Sequence, residues 1–441
     1  MNRIVRLLIV LLLLSVLTAC DSLTPPAELP AVLEGDGRPR APASVVVQPP
    51  AEAEEAAPLE NDAPPAELFL VRPEGAKGPL VAYDMSDGRE RFALPAGMLS
   101  AYGRHYYAAA SQPESTRLDA YDPGTGNLER RFTLKGQWAL SGVSPLGRWL
   151  ALTRIASEGE KQAWAKSNQW KTDVQIVDAN SGETAHVLSL DGNFEVETIS
   201  AAGDSLFLVQ HLPAVNPDHY LIRLYDLSAE NLVADPLRSK GSDEVMAGLA
   251  WEGLASPDGR WLLTLYLSTR RNTAFIHTLD LLNKYPVCID LPSGSGDFDQ
   301  LKDYTLALSP DGQKVYATNT ALGVVAEVSL NTLKVARTVT FDARPLAKYD
   351  LPTPVGRSVV SKGGRMLYFS GGQDVWFYDT KSKAVSGPFS IDSQIVGLGL
   401  SSDGNRLHVA SADGSLTTLN AASGSALSFP GADEVARTPG D

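Results

Sequence analysis

Cysteine is almost absent. The 441 residues hold only Cys20 and Cys288, too few for a disulfide framework or a thiolate metal cluster. Histidine is scarce too: His105, His186, His211, His219, His277 and His408 are the full set, with no His-x-x-x-His spacing among them. No Gly-x-Ser-x-Gly elbow, phosphate loop or Cys-x-x-Cys pair occurs, so the local signatures of α/β-hydrolase, nucleotide and dithiol chemistry are missing. Positive charge is the minority sign, 38 Lys and Arg against 52 Asp and Glu for a formal net charge of −14, and it forms no stripe. A field of that sign opposes nucleic acid and favours solubility. A membrane-spanning helix needs about 20 apolar residues; the N-terminal run that comes nearest, Leu7 to Leu17, is shorter and ends at Cys20-Asp21.

That run has a clear layout of its own. Asn2-Arg3 and Arg6 make a basic start, the apolar stretch follows, and Leu17-Thr18-Ala19-Cys20 closes it. This is the pattern of a secretory signal, and its ending resembles a bacterial lipobox. The resemblance implies that residues 1–19 are removed and that the Cys20 sulfur carries a diacylglycerol with palmitate-like chains. Losing Arg3 and Arg6 takes the net charge from −14 to −16. Two or three acyl chains on one cysteine suffice for stable anchoring. Asp21 resembles the inner-membrane retention signal of some lipoproteins, which implies the extracytoplasmic face of the cytoplasmic membrane. Cys288 then stands alone, in the apolar run Pro286-Val287-Cys288-Ile289, and reads as a buried, inert thiol.

From 20 to 66 the chain is dominated by Pro, Ala and Glu, as in Thr24-Pro25-Pro26-Ala27-Glu28 and Glu52-Ala53-Glu54-Glu55. So few large side chains cannot offset the entropy of ordering, and the segment is predicted to be a disordered tether. Extended Pro-rich chain advances about 3.1 Å per residue, enough to hold a domain tens of ångströms from a bilayer. A short apolar patch, Val45-Val46-Val47, interrupts it.

Residues 67–436 carry an internal repeat, with 437–441 as a tail. A Ser-x-x-Gly turn recurs at Ser144-Pro145-Leu146-Gly147, Ser256-Pro257-Asp258-Gly259, Ser309-Pro310-Asp311-Gly312, Ser361-Lys362-Gly363-Gly364 and Ser402-Asp403-Gly404. Each precedes a short β-rich run. A second turn follows one strand later, at Asp122-Pro123-Gly124-Thr125-Gly126, Asp178-Ala179-Asn180-Ser181-Gly182, Asp379-Thr380-Lys381-Ser382 and Asn420-Ala421-Ala422-Ser423-Gly424. Asp, Asn and Ser bond their own nearby backbone, and Gly takes the positive φ. Short strands between such turns, repeating every 40 to 55 residues, predict an all-β protein with a β-propeller fold. Full units begin near Met98, Trp138, Val196, Gly248, Tyr304, Arg357 and Ile395. A partial unit from Glu67 to Pro95 supplies second, third and fourth strands but no inner one; Glu434-Val435-Ala436 is the candidate to close it. Counted literally this gives eight blades, with seven if one unit is not a blade. The repeats resemble bacterial extracytoplasmic propellers of the WD40-like and YVTN type, though without the Gly-His and Trp-Asp pairs of WD40 blades.

The tight turns all fall on one end of such a ring, and the long connections, 156–172, 211–219, 238–247, 291–303 and 342–356, fall on the other. Long loops on a rigid frame are where recognition sits. In the first of them Trp164 and Trp170 stand among Lys161, Lys166 and Lys171. They serve as binding anchors, or else fold back over a blade edge. Asp297, Asp299 and Asp303 are weak candidates for an oxygen-ligated cation, without the spacing of a calcium loop. His211 and His219 share one loop. Arg260, Arg365, Arg406 and His408 fall on or just before second strands. The expectation is a lipid-anchored binding or scaffold module, leaning away from an enzyme. It needs no cofactor, binds no nucleic acid, and meets the membrane through its lipid and another envelope or cell-surface protein through its loops. A propeller hydrolase of the lactonase type and a glycan or cell-wall binder are the alternatives.

Overall fold

The computed structural model describes residues 67–72, 78–101, 103–238, 246–256, 258–293, 297–344 and 357–427. The lipobox Leu17-Thr18-Ala19-Cys20, the tether 20–66, the closing segment Glu434-Val435-Ala436 and the tail 437–441 lie outside the described residues. So do much of the loops 238–247 and 342–356 and part of 291–303.

The chain forms an eight-bladed β-propeller. Seven antiparallel sheets have four strands in sequence order and one has three. Blade 1 is Leu68–Val71, Leu80–Asp84 and Glu90–Leu94; blades 2 to 8 begin with inner strands Met98–Leu99, Trp138–Val143, Asn193–Ile199, Leu249–Ala255, Thr305–Leu308, Arg357–Val360 and Ile395–Leu400. The fourth unit thus starts at Asn193, three residues before the expected Val196. In blade 1, Gly88 N donates to Asp84 O, as Gly126 N does to Asp122 O and Gly182 N to Asp178 O at third-to-fourth-strand turns. Met85 N donates to Glu67 O, as Ala179 N does to Arg148 O. By this match Leu68–Val71 is a second strand, and the described residues give blade 1 no inner one.

The Ser-x-x-Gly turn is the unit of repetition. In seven blades the serine Oγ accepts from the backbone N five residues on: His105 to Ser100, Trp149 to Ser144, Ser205 to Ser200, Trp261 to Ser256, Lys314 to Ser309, Met366 to Ser361 and Arg406 to Ser401, at 2.8–3.2 Å. The last corrects the sequence reading by one residue: Ser401, not Ser402, closes that turn. The turns at Ser100 and Ser200 lack the Pro-Asp pair before the glycine and were not among those read from sequence; at Ser200 the hydroxyl donates instead to Asp204 Oδ1 at 2.7 Å. At Gly203, φ is +76° and the Trp149 indole lies where a Cβ would point, so both conformation and space require glycine.

Second and third strands are buried on both faces, as in Trp261–Ser268 and Thr273–Asp280. Successive side chains point to opposite faces, so each strand feeds two interfaces. In blade 4, Leu206 and Leu208 pack on blade 3 with Ile176, while Phe207 and Val209 pack on blade 5 with Tyr266 and Phe275. Eight apolar clusters fill the eight interfaces. The ring closes where Phe69 and Val71 of blade 1 meet Val396 and Ala410 of blade 8, and where Leu80 and Leu94 meet Tyr106 and Ala108 of blade 2. Fourth strands are largely exposed, and this corrects the reading of Cys288: it lies exposed on the fourth strand of blade 5, its Sγ 4.0 Å from His277 Nδ1.

Ser309→Ala removes the acceptor for Lys314 N and the hydroxyl bonded to Asp311 Oδ1. Losing both bonds of this part-buried turn costs about 1 kcal/mol, which chemical denaturation will register; Ser423→Ala, at an exposed turn, changes stability by less than about 0.5 kcal/mol.

Candidate functional site

Both tight-turn classes lie on one end of the ring, and the long connections lie on the other, as the sequence predicts. At the long-loop end, the insertion in blade 3 is a helix, α1 (Glu158–Ser167), rather than an irregular loop. Ser157 caps it: its Oγ accepts from Glu160 N, and the Glu160 carboxylate accepts from Ser157 N, a reciprocal capping box. Asn168 ends it in the left-handed region. No α1 residue is buried, so it adds little to the core. Trp164 and Trp170 are half-buried and pack on each other with centroids 5.4 Å apart. Arg154 lies over Trp164 at 5.9 Å and binds Asp173 and Glu160 at 2.6 and 3.1 Å, tying the helix to its blade. The indoles therefore form one local pair, each with part of its surface open. Lys161, Lys166 and Lys171 are exposed; Lys161 Nζ is 4.0 Å from Glu158 and Lys171 Nζ is 3.9 Å from Asp191.

The three aspartates of 291–303 part company. Asp297 caps the short helix α2 (Phe298–Leu301), and Asp299 pairs with Lys302 at 2.5 Å. Asp303 is fully buried and its Oδ2 accepts from Thr320 N, Thr320 Oγ1 and Ala321 N. Among the described residues no three His, Cys, Asp or Glu side chains are grouped to hold a metal ion. Arg260 and Arg365 pair with Asp280 and Asp379, the aspartates ending third strands. His408 is buried against Thr418, and Arg406 begins its strand exposed.

Among the described residues, two cavities lie toward the long-loop end. One, of about 420 Å³, lies between blades 4 and 5 and is lined by Glu195, Glu197, His211, Asp218, His219 and Tyr220, with Thr264 and Tyr266 behind. His211 and His219 do come to one place, but each is bonded to its own carboxylate: His211 Nε2 to Glu195 at 3.2 Å and His219 Nδ1 to Asp218 at 2.5 Å. Glu197 accepts from Thr264 Oγ1 across the blade interface at 3.2 Å. Burial pushes its carboxyl up to about 7, against the weaker opposing pull of that hydrogen bond. Beneath it Tyr220 and Tyr266 stack at 5.3 Å, and Tyr266 stacks on Phe275 at 5.5 Å.

The second cavity, of about 460 Å³, faces the central channel and is lined by Arg72, Trp251, Glu252 and Arg357 together with Val396 and Leu398. Glu252 accepts from Leu306 N at 2.9 Å and Thr305 Oγ1 at 3.3 Å, both from blade 6. Desolvation raises its carboxyl to about 7, with Arg357 pulling the other way. Arg357 donates to Val396 O at 2.9 Å. The sequence reading passed over Glu197 and Glu252. The available signal was an acid inside an inner strand, as in Phe194-Glu195-Val196-Glu197, where period-2 alternation aims two carboxyls at the same face.

No protein-family model matches the chain, and comparison with curated proteins returns no match. Solved structures do match. The dihydro-heme d1 dehydrogenase NirN in complex with DHE aligns at 15% identity over 85% of this chain and 75% of its own, with a TM-score of 0.50. The Dos1 propeller aligns at 12% identity over 80% and 88%, with a TM-score of 0.47. The β-propeller domain of Myceliophteria thermophila Cps50 (Swd1) aligns at 11% over 80% and 99%, with a TM-score of 0.40. At these identities the likeness is one of fold.

A carboxyl raised to about 7 in the folded state stays protonated where its unfolded counterpart, near 4.5, has ionised. Its contribution to stability therefore falls as pH rises from about 4.5 to about 7, then levels. Glu252→Gln removes that fall, so its melting temperature relative to wild type rises by on the order of 3 °C from pH 5 to pH 8; thermal unfolding across that range checks it.

Proposed function

We propose that this protein is a binding or scaffold propeller held at the extracytoplasmic face of the cytoplasmic membrane by acylated Cys20. Its long-loop end is the contact surface for another envelope or cell-surface protein. The observation that carries this reading is the asymmetry of the ring. One end is closed by repeated short turns, and the other bears the long connections, α1 and both cavities. A helix with no buried residue adds little to the stability of its own domain, since packing of an apolar face is what usually sustains a helix. Here α1 is instead tethered by Arg154 and sets Trp164 against Trp170, just beyond its end, so that two partly open indoles stand near three exposed lysines. Aromatic anchors ringed by polar groups are the composition of interface hot spots.

The lipobox resemblance at Leu17-Thr18-Ala19-Cys20 supplies the anchor, and the Pro-rich segment after it supplies reach. Together they present the propeller at a distance from the bilayer.

Cys20→Ser is expected to shift the protein from the membrane to the soluble fraction and to abolish palmitate labelling; a variant still membrane-bound overturns the anchor. Replacing residues 158–169 by a short Gly-Ser turn is expected to leave the melting temperature within a few degrees and to remove a partner crosslinked in cells by the intact chain. A crosslinked species unchanged by the replacement overturns the role of α1.

A further inference from the structure

The cavity between blades 4 and 5 is lined by more carboxyls than bases, and one carboxyl is poorly matched. Its titratable lining among the described residues is Glu195, Glu197 and Asp218 with His211, His219 and two tyrosines, and no described Lys or Arg lines it. Two of the carboxylates are engaged, Glu195 by His211 at 3.2 Å and Asp218 by His219 at 2.5 Å. Glu197 remains. Among the described residues it takes a single hydrogen bond, from Thr264 Oγ1, where a carboxylate offers about four lone-pair positions. Desolvation raises its carboxyl to about 7, against the weaker pulls of that hydrogen bond and of His211, which is itself engaged by Glu195.

A second observation points into the same space. Tyr220 is 4% exposed and lines the cavity; its Oη makes no well-aligned hydrogen bond among the described residues, the Tyr266 hydroxyl lying beside it. A buried hydroxyl left unmatched costs about 1–3 kcal/mol. Around these polar atoms the wall is apolar, formed by Val209, Pro217, Leu249 and Ala250. The volume, about 420 Å³, falls in the range of small-molecule sites.

We infer that this cavity binds a small organic cation: a primary amine carrying a short apolar group. The ammonium offers three N–H donors and a positive charge. Glu197 takes the charge, Tyr220 Oη accepts a second hydrogen bond, and the apolar group lies against Val209 and Leu249. An anion meets three carboxylates. A neutral alcohol leaves Glu197 with no counter-charge. The inference is independent of the membrane anchor and of α1, since none of its residues lies on either.

The test is titration calorimetry on the full chain at pH 8, where Glu197 is ionised, with benzylamine and n-butylamine as probes and benzyl alcohol and benzoate as their neutral and anionic counterparts. At least one amine is expected to bind 100-fold or more tighter than benzyl alcohol, with no binding of benzoate. Glu197→Gln is expected to weaken that amine at least tenfold, and Tyr220→Phe three- to tenfold, each with a melting temperature close to wild type. Absence of binding by both amines, benzyl alcohol binding as tightly as benzylamine, or an amine affinity unchanged in Glu197→Gln overturns the proposal. The comparison of amine with alcohol needs only the wild-type chain, so it decides even if the variants fail to fold.

Discussion

Burial of the second and third strands on both faces is the constraint on which this molecule rests. A sheet apolar on both sides cannot stop at one neighbour; it must be covered on each. Twist between packed sheets turns a row of them into a ring, and the ring is complete only when the last blade covers the first. Here that contact is blade 8 on blade 1, with Phe69 and Val71 against Val396 and Ala410 and Ser402 N donating to the Glu67 carboxylate. Some polar groups inside the interfaces are matched across them: Glu327 of blade 6 accepts from Tyr378 Oη and Lys383 Nζ of blade 7, both at 2.6 Å. Such a pair works as a clasp between blades because both partners are desolvated together.

The same constraint decides where chemistry can sit. With interfaces apolar and outer strands in solvent, the inner strands and the loop ends are left for charged groups. The ladder breaks in several inner strands, as it does between some third and fourth strands. The register shifts between Val196 and Thr198, and again between Ala250 and Glu252. A bulge re-aims the side chain beside it. Glu197 lies at the first shift and Glu252 at the second, and both reach across to the next blade, Glu197 to Thr264 and Glu252 to Thr305 and Leu306.

How much of this was legible in the sequence follows from the range of each signal. The turns were readable because their chemistry is local: Ser309 needs only Asp311 and Gly312 to close, all within four residues. Ser100 closes the same turn without Pro or Asp, and Ser200 does so with its aspartate, Asp204, after the glycine rather than before it, so the spacing to Gly103 and Gly203 is the signal that marks them. The division of long and short connections between the two ends followed from strand order alone. Cys288 was misjudged because its neighbours are apolar while its own side chain points outward from a fourth strand. Trp164 and Trp170 stood out in the sequence, but the helix that brings Trp164 against Trp170 depends on a cap at Ser157 and Glu160 that a search for anchors does not weigh. Glu197 and Tyr220 come from different strands, and no local spacing joins them.

Three carboxyls in this protein are pushed to about 7 by burial, and they differ in what the fold returns for it. Asp303 gathers three hydrogen bonds from Thr320 and Ala321, so its desolvation is offset by holding a loop. Glu252 accepts from Leu306 N and Thr305 Oγ1 and feels the charge of Arg357, so it staples blade 5 to blade 6. Glu197 suffers a comparable desolvation and receives one hydrogen bond at 3.2 Å. Packing gives no reason for an acid there, since an apolar or amide side chain would fill the same bulge at lower cost. The proposed amine would supply the counter-charge that the described neighbours of Glu197 do not, and the cavity lies on the end of the ring that carries the long connections.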